Sequence, residues 1–431
     1  MSGPMAGRGL SPISRRNLLR GAAGGVAGAA FGHAAVAAGD PLLDLLIRQG
    51  QQNEFGQGFD AKSSTILMPK ASLPTLSPAT AQATEQAVAR YEAIVARGGW
   101  PMVPVIDKLR LGHRHASVMP LRQRLLASGD LDTASGTSDI FDSYVETAVR
   151  RFQARHGITV DGMVREPTFK ALNTPADQRL AQLKVNVPRL RALSASLAPR
   201  FVTVNIPAAQ VEAIDNGVCV SRHIGVAGKP DRPSPELNSR IMEVNFNPYW
   251  TVPVSIVRRD LIPKMQSEPD YLTKNRIRIF DRKNRELQPT DVNWETNEAV
   301  HYLFKQDPGE LNSLGAIKIN FANAHQVYMH DTPLKNLFGE EFRFHSSGCV
   351  RIQNVRELVY WLLSDTVGWP RVEVDRVIKS AERKDAKLAK PVPLHWVYVT
   401  GWTTADGVIQ FRDDIYGRDG LGAPVAATSP G

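Results

Sequence analysis

The sequence predicts an α+β protein, in which a mainly β domain with a helical insert follows a small three-helix domain. Between residues 117 and 173, apolar residues recur at helical spacing in three short segments. From residue 201 onward, short segments alternate apolar and polar side chains, as half-buried strands do. A length of 431 residues fits two to three domains, each large enough to bury a core of its own.

Residues 1–38 have the features of an export signal. Residues 14–20, Ser-Arg-Arg-Asn-Leu-Leu-Arg, match a twin-arginine signal, and a weakly apolar stretch rich in alanine and glycine continues to residue 38. An Ala-Val-Ala cleavage site lies at 35–37. The alternative is an uncleaved membrane anchor, but several glycines dilute the apolar character of this stretch. We therefore expect export in the folded state to a bacterial periplasm, without stable membrane insertion.

The charge balance suits an anionic partner. The chain has a formal net charge of +9, and four of these charges belong to arginines of residues 1–38, so the remainder carries about +5. A basic surface suits an anionic polymer such as the cell wall, and it would also suit nucleic acid. Because export argues against nucleic acid, we expect a wall partner and no nucleic acid.

Helical patterns occupy the chain before residue 201. Residues 39–113 read as an N-terminal helical or scaffold segment, whose apolar pattern ends at a Gly-Gly pair. Residues 114–175 form the three-helix domain, with one apolar face on each helix. Residues 176–200 are expected to form a linking helix.

The β domain is expected to cover residues 201–419. A turn at 215–217 joins the second strand, 210–214, to the segment that begins at Val218 as a hairpin, and 355–363 reads as a helix. Residues 255–309 are more charged and more helical, and we interpret them as an insert; 420–431 form a loose tail. The predicted strands are 201–206, 210–214, 276–280, 317–321, 326–330, 395–399 and 408–411, of which the last two close the sheet.

The two cysteines of the chain differ in their surroundings. Cys219 lies in a short strand-like segment and is expected to be a buried, unreactive thiol. Cys349 follows Gly348 in a serine-rich turn, and His330 ends an apolar segment 19 residues upstream. An oxidising compartment would allow the cysteines to pair, and a bridge would remove Cys349 as a nucleophile. We expect Cys349 to be a free thiol.

Cys349 and His330 are a candidate nucleophile and base for acyl transfer. This chemistry needs an activated sulfur, a base within hydrogen-bond reach, and donors for the oxyanion. Imidazole titrates near neutral pH and is the natural proton acceptor for a thiol. Gly348 permits a tight turn, which lets the backbone N–H groups of Gly348 and Cys349 face a substrate carbonyl.

The three-helix region resembles the peptidoglycan-binding domain, a small module of many wall enzymes. The matching residues include Ala-Val-Arg-Arg-Phe-Gln at 148–153, His-Gly-Ile at 156–158 and Asp-Gly at 161–162. The resemblance implies binding of wall glycan, although such a module can also serve as a scaffold.

The β domain resembles the L,D-transpeptidases, and in particular the large periplasmic members, which carry a peptidoglycan-binding domain and a capping subdomain inserted in the catalytic fold. Tyr-Met-His-Asp-Thr-Pro at 328–333 and Ser-Ser-Gly-Cys-Val-Arg at 346–351 match the catalytic signature of that family. Further matches lie at 228–235, 247–253 and 407–416. The chain departs from the commonest form of the motif at Ser347, where a histidine is usual.

The resemblance implies a role for each matched residue. Cys349 would be the nucleophile and His330 the general base, while the N–H groups of Gly348 and Cys349 would form the oxyanion hole with help from the Tyr328 hydroxyl. His345 does not align with the motif histidine and is interpreted as a loop residue. The residues expected to contact substrate or support the loop are Arg351, Ser346, Ser347, Tyr249 and Trp250. For Tyr249 and Trp250, packing at the sheet edge is an equal alternative.

The implied reaction joins two peptidoglycan stem peptides. Cys349 would attack the bond between diaminopimelate and the terminal D-alanine, and the side-chain amine of another diaminopimelate would accept the acyl group under cover of the insert. Carbapenems are expected to acylate Cys349. No metal or organic cofactor is implied, and the histidines at 113 and 115 have no acidic or cysteine partner at ligand spacing.

Other functions remain open from the sequence. With water as acceptor the enzyme would be an L,D-carboxypeptidase, and with a protein amine it would anchor proteins to peptidoglycan. A non-catalytic wall-binding protein is a further alternative, as is a general cysteine protease, although no papain-like sequence surrounds Cys349.

Overall fold

The computed structural model describes residues 72–422 of the chain. The predicted twin-arginine signal, the first part of the N-terminal segment and most of the predicted tail lie outside the described residues. Across residues 72–422, none of the helices combines the length and the apolar character that crossing a membrane requires.

Five helices precede the β domain within the described residues. They are α1 (Pro78–Ala96), α2 (Val118–Ser128), α3 (Ser143–His156), α4 (Glu166–Leu172) and α5 (Ala176–Ser194). α2, α3 and α4 enclose one apolar core that includes Leu121, Val149 and Phe169. α1, in the predicted scaffold segment, packs along α5, in the predicted linking segment. The three-helix domain is thus confirmed.

Nine strands form the main sheet of the described residues. They are β1 (Arg200–Asn205), β2 (Gln210–Asp215), β3 (Val218–Gly228), β4 (Leu237–Phe246), β9 (Ile317–Phe321), β10 (Met329–His330), β11 (Phe344–Ser346), β12 (Val350–Ile352) and β13 (Lys384–Val397). Their order is β11-β3-β12-β10-β9-β4-β13-β1-β2, and β2 also pairs with β3, so the sheet closes on itself. Two helices, Val355–Leu362 and Arg371–Ser380, bury their apolar faces in the same core. The mainly β domain is confirmed.

The insert has a sheet and a core of its own. Four strands, β5 (Trp250–Thr251), β6 (Ile277–Phe280), β7 (Glu286–Leu287) and β8 (Leu303–Gln306), pair in the order β5-β8-β6-β7. Between β5 and β6, residues 254–267 form one continuous helical segment, made of Val254–Ile256, a π-helical turn at Val257–Leu261, and Ile262–Ser267; the short helix Tyr271–Lys274 follows. The insert is thus helical in this part, between Pro253 and Pro269, but it contains more strand than the sequence predicts.

The prediction that residues 408–411 close the main sheet is wrong. β15 (Ile409–Phe411) pairs with β14 (Gly401–Thr403) in a separate two-stranded sheet. This small sheet packs against α1, α5 and the end of α3 instead. Its apolar side chains are therefore buried by helices, and their alternation could not indicate which partner covers them.

The small sheet clamps the three-helix domain to the β domain. Arg155 donates to the carbonyl of Ile409 at 3.4 Å, and Arg412 donates to the carbonyl of Arg155 at 3.0 Å. The ring of His156 stacks on Phe411 with centroids 5.7 Å apart. Arg155 is itself held by two hydrogen bonds to the buried carboxylate of Asp130, at 2.7 and 2.5 Å. The junction is thus a buried network, not a flexible linker.

Candidate functional site

The pairing of β10 with β12 collects the predicted site residues on one face of the sheet. The two strands run parallel, with Met329 opposite Val350 and His330 opposite Arg351. Met329 and Val350 point into the core. Because side chains alternate along a strand, Tyr328, His330, Cys349 and Arg351 lie together on the opposite face. The rings of Tyr328 and His330 are 5.7 Å apart.

The Cys349 sulfur is held as a neutral thiol with its stabilising groups already in place. Burial raises the pKa of Cys349 to about 11, against hydrogen bonds from the Tyr328 N–H and hydroxyl and the positive charges of Lys318 and Arg351, which lower it. Cys219 and Cys349 are both free thiols, as expected. Burial raises the pKa of Cys219 to about 12, which makes that thiol unreactive.

His330 is arranged as a neutral base. The residue is only 5% exposed, and Nδ1 lies 2.5 Å from the carbonyl oxygen of Asp331. A carbonyl can only accept, so Nδ1 carries the proton and Nε2 keeps its lone pair. Burial lowers the pKa of His330 to about 3, with further lowering by Arg351 and Lys318. Within the described residues no hydrogen bond joins Sγ to this ring; the two groups are neighbours on the face.

The turn that carries Cys349 is fixed by serines. Ser346 Oγ donates to the carbonyl of Cys349 at 2.5 Å and accepts from the Gly348 N–H at 3.2 Å, and Ser234 Oγ donates to the carbonyl of Gly348 at 2.8 Å. Gly348 has φ +115°, which disfavours any other residue there. The Gly348 N–H, expected in the oxyanion hole, is therefore occupied, whereas the Cys349 N–H has no partner among the described residues.

The insert reaches the site at two points. Trp250 Nε1 donates to the Tyr328 hydroxyl at 3.1 Å, which places the indole in direct contact with the sulfur's hydrogen-bond partner. Arg232 Nη1 binds Asp260 in the insert at 2.6 Å and also donates to Ser347 Oγ at 3.1 Å. Ser347, the residue that departs from the usual motif, is thus the link between the cysteine turn and the insert.

Three other predicted residues take different positions. Arg351 lies beside Cys349 on the same face, and burial lowers its pKa. Tyr249 contacts Lys305, whose Nζ lies 4.3 Å from its ring centroid. His345 lies within β11, so its prediction as a loop residue is wrong; its Nε2 is 2.8 Å from both Glu340 and the carbonyl of Phe342.

Two residues near the site were not selected from the sequence. Lys318 is a polar residue of β9 and lies on the same face as Cys349, because it pairs with His330. The alternation of apolar and polar residues at 317–321 could have predicted this position. Arg232 lies in a loop matched to the family, but its contact with Asp260 joins residues 28 apart. In the described part of the chain, no group of three or more His, Cys, Asp or Glu residues could hold a metal ion.

Family comparisons agree with this geometry. Residues 199–378 match the YkuD family, described as the L,D-transpeptidase catalytic domain. Residues 114–172 match the family described as "Putative peptidoglycan binding domain".

Individual relatives cover parts of the chain. A Haemophilus influenzae protein named "Putative L,D-transpeptidase" is 31% identical over 257 residues, which are 59% of this chain and 50% of that protein. The N-acetylmuramoyl-L-alanine amidase CwlM of Mycobacterium tuberculosis is 40% identical over 74 residues, 15% of this chain and 18% of the amidase. The chain therefore spans half or less of the length of these curated relatives.

A solved L,D-transpeptidase structure from Xylanimonas cellulosilytica is also similar. It has 13% identity and a TM-score of 0.23, and the match covers 68% of this chain and 99% of that one. This score is too low to support an argument. The family matches confirm both resemblances seen in the sequence: residues 199–378 match the L,D-transpeptidase catalytic domain of the YkuD family, and residues 114–172 match a peptidoglycan-binding domain.

Proposed function

We propose that the protein is a periplasmic peptidoglycan L,D-transpeptidase that works through a Cys349 acyl-enzyme and cross-links diaminopimelate residues. The observation that carries the proposal is the grouping of Cys349, Tyr328 and a neutral His330 on one face of an L,D-transpeptidase domain. The periplasmic location rests on the twin-arginine segment and is part of the proposal.

In the first half-reaction, Cys349 Sγ attacks the diaminopimelate carbonyl next to the terminal D-alanine. His330 Nε2 takes the thiol proton as the C–S bond forms, and the carbonyl oxygen becomes an oxyanion that the Cys349 N–H stabilises. When the C–N bond breaks, the imidazolium returns that proton to the amine of D-alanine, which leaves. The product is a thioester on Cys349.

In the second half-reaction, the side-chain amine of another diaminopimelate attacks the thioester carbon. His330 accepts a proton from that amine, the C–S bond breaks, and the sulfur regains a proton from the imidazolium. The result is an amide between two stems and a restored thiol. Nucleophile and base thus end in the neutral forms that they have in the structure.

The pKa values of the two groups define the timing of the attack. With a thiol pKa of about 11 and an imidazole pKa of about 3, an ion pair is disfavoured before substrate binds. The directions of both shifts favour proton transfer during the attack, as general-base catalysis allows. The developing oxyanion would in turn stabilise the imidazolium through its charge.

The insert would exclude competing water from the thioester. Its contacts through Trp250 and Arg232 support a position over the site, where an amine acceptor would be favoured over hydrolysis. Peptidoglycan stem peptides are the proposed substrates, wall glycan the proposed ligand of the three-helix domain, and carbapenems the expected inhibitors.

The test is incubation of the purified protein with tetrapeptide-containing muropeptides beside a Cys349→Ala control, followed by mass spectrometry. Cross-linked dimers from the parent alone would support the proposal. Tripeptides alone would indicate a carboxypeptidase. No product from a protein with a free Cys349 thiol, and no carbapenem adduct, would refute an acyl-enzyme and favour a wall-binding protein.

A further inference from the structure

A charged cleft continues the face of Cys349 across the sheet. Strand pairing places Lys318 opposite His330, Asn245 opposite Lys318, and Asp385 opposite Asn245. These residues therefore share one face with the nucleophile, in that order. The cleft has a volume of about 340 Å³ and is lined by Glu243, Asn245, Pro248, Tyr249, Thr251, Lys305, Lys318, Arg383 and Asp385.

The far end of the cleft holds two carboxylates close together. Asn245 Nδ2 donates to Glu243 Oε1 at 2.6 Å and to Asp385 Oδ1 at 2.7 Å, so both carboxylates converge on one nitrogen. Like charges at this separation destabilise each other unless a cation lies between them. Arg383 is 3.8 Å from Asp385, and Glu243 has no salt bridge among the described residues. The pair is thus arranged to receive a further positive charge.

The cleft also holds two lysines, each packed against an aromatic ring. Lys318 Nζ lies 4.5 Å from the ring centroid of Tyr328, and Lys305 Nζ lies 4.3 Å from that of Tyr249. Neither lysine makes a salt bridge within 4.0 Å to any carboxylate that the structure describes. Burial lowers the pKa of Lys318, while the charges of Glu243 and Asp385 act in the opposite direction, so the opposite charges of the cleft lie within electrostatic reach of one another.

We infer that this cleft is a subsite for an ammonium–carboxylate centre, namely the free end of the diaminopimelate side chain in the donor peptide, an assignment that rests on the proposed function. Its ammonium binds between Glu243 and Asp385, and its carboxylate binds Lys318. Both charges of this ligand then meet complementary groups, whereas a lysine side chain supplies only one of them.

The spacing along the face fits this ligand. Strands lie about 4.8 Å apart, so the backbone of Lys318 is roughly 10 Å from that of Cys349 and the backbone of Asn245 roughly 14 Å. Five bonds of about 1.5 Å carry the diaminopimelate side chain about 6 Å from the reacting carbonyl to its free end. The long side chains of Lys318 and Glu243 cover the remaining distance.

Binding to the full chain carrying Cys349→Ala, measured by calorimetry, tests the subsite without turnover. Three tetrapeptides are compared: one with diaminopimelate, one with its side-chain amine acetylated, and one with lysine in its place. We expect diaminopimelate to bind about tenfold more tightly than either analogue, because hydrogen bonds between charged groups contribute roughly this factor. Equal binding of the three peptides would overturn the inference.

Variants assign each charge to its partner. The double variant Glu243→Gln, Asp385→Asn should bind the diaminopimelate peptide no more tightly than the acetylated one. Lys318→Met should bind the diaminopimelate peptide no more tightly than the lysine peptide. Asp107→Asn, which removes a fully exposed carboxylate of the helical region, should keep both preferences. A misfolded variant would bind all three peptides more weakly by the same factor. The ratio of their affinities therefore still tests the subsite.

The outcomes separate the subsite from the proposed function. Preferences that persist in the cleft variants would refute the subsite even if the parent protein cross-links muropeptides. Preferences that follow the variants, in a protein whose Cys349 releases no D-alanine, would establish the subsite and refute the transpeptidase.

Discussion

Replacing Tyr328 by phenylalanine should make Cys349 less reactive, by an amount that the structure defines. The Tyr328 hydroxyl hydrogen-bonds the sulfur and lowers the pKa of Cys349. A hydrogen bond to a charged group contributes about 1.5 kcal/mol, so its loss should raise the thiol pKa by about one unit. The thiolate fraction at pH 8 then falls about tenfold, but a more basic thiolate is also more nucleophilic, which recovers about half of the loss on a logarithmic scale. The net expectation is alkylation about threefold slower.

The assay is the second-order rate constant for iodoacetamide at pH 8, followed by intact mass in a Cys219→Ala background. Trp250→Phe extends it, because Trp250 donates to the Tyr328 hydroxyl and makes it a better donor. Trp250→Phe should slow alkylation in the parent and have no effect once Tyr328→Phe is present. Cys349→Ala gives the background rate.

Two results would refute this reasoning. An unchanged or faster rate in Tyr328→Phe would show that the hydroxyl does not stabilise the thiolate. An equal effect of Trp250→Phe in both backgrounds would show that the indole acts by packing, not through the hydroxyl.

Three further predictions concern stability and the insert. Burial lowers the pKa of His223 to about 4, so between pH 6.5 and 4 this histidine is protonated in the unfolded chain but not in the folded one. The free energy of unfolding should therefore decrease as the pH falls through this range, by up to about 3 kcal/mol. His223→Gln should remove that part of the pH dependence, measured by urea unfolding at pH 7 and 4.5, whereas His301→Gln, at an exposed histidine, should keep it. An equal change of the pH dependence in both variants would show that His223 is not its source. Asp130→Asn should cost about 3 kcal/mol in the same assay, because it leaves the buried guanidinium of Arg155 without its carboxylate; a loss under 1 kcal/mol would show that the pair is dispensable. Arg232→Ala should speed amide exchange in residues 257–261 about fivefold, since a partly exposed ion pair to the insert contributes up to about 1 kcal/mol, and unchanged exchange would show that Arg232 does not hold the insert.

Local patterns predicted most of the elements and the centre of the site. Strict alternation gave β9, and an apolar stripe at helical spacing gave the helix at Val355–Leu362, because each pattern belongs to one segment. Cys349 and His330 stood out because their residue types carry the chemistry.

Contacts between distant segments could not be predicted in this way. Asn245 joins Glu243 to Asp385 across two strands, and that contact depends on the register, which no single segment contains. The partner of β15 was missed for a related reason. An alternating segment shows that one face is buried, but it does not show whether a sheet or a helix covers that face.

The clamp between Arg155, His156 and Arg412 has a consequence for how the two domains would share a substrate. A binding module on a flexible linker raises the concentration of its ligand near the catalytic domain, in every direction that the linker can reach. A module fixed by a buried ion pair and stacked rings offers one direction and one distance instead. Glycan held by the three-helix domain would then present to Cys349 only those stems that leave the strand at a matching height and angle, so the domain would select cross-link positions rather than increase their number.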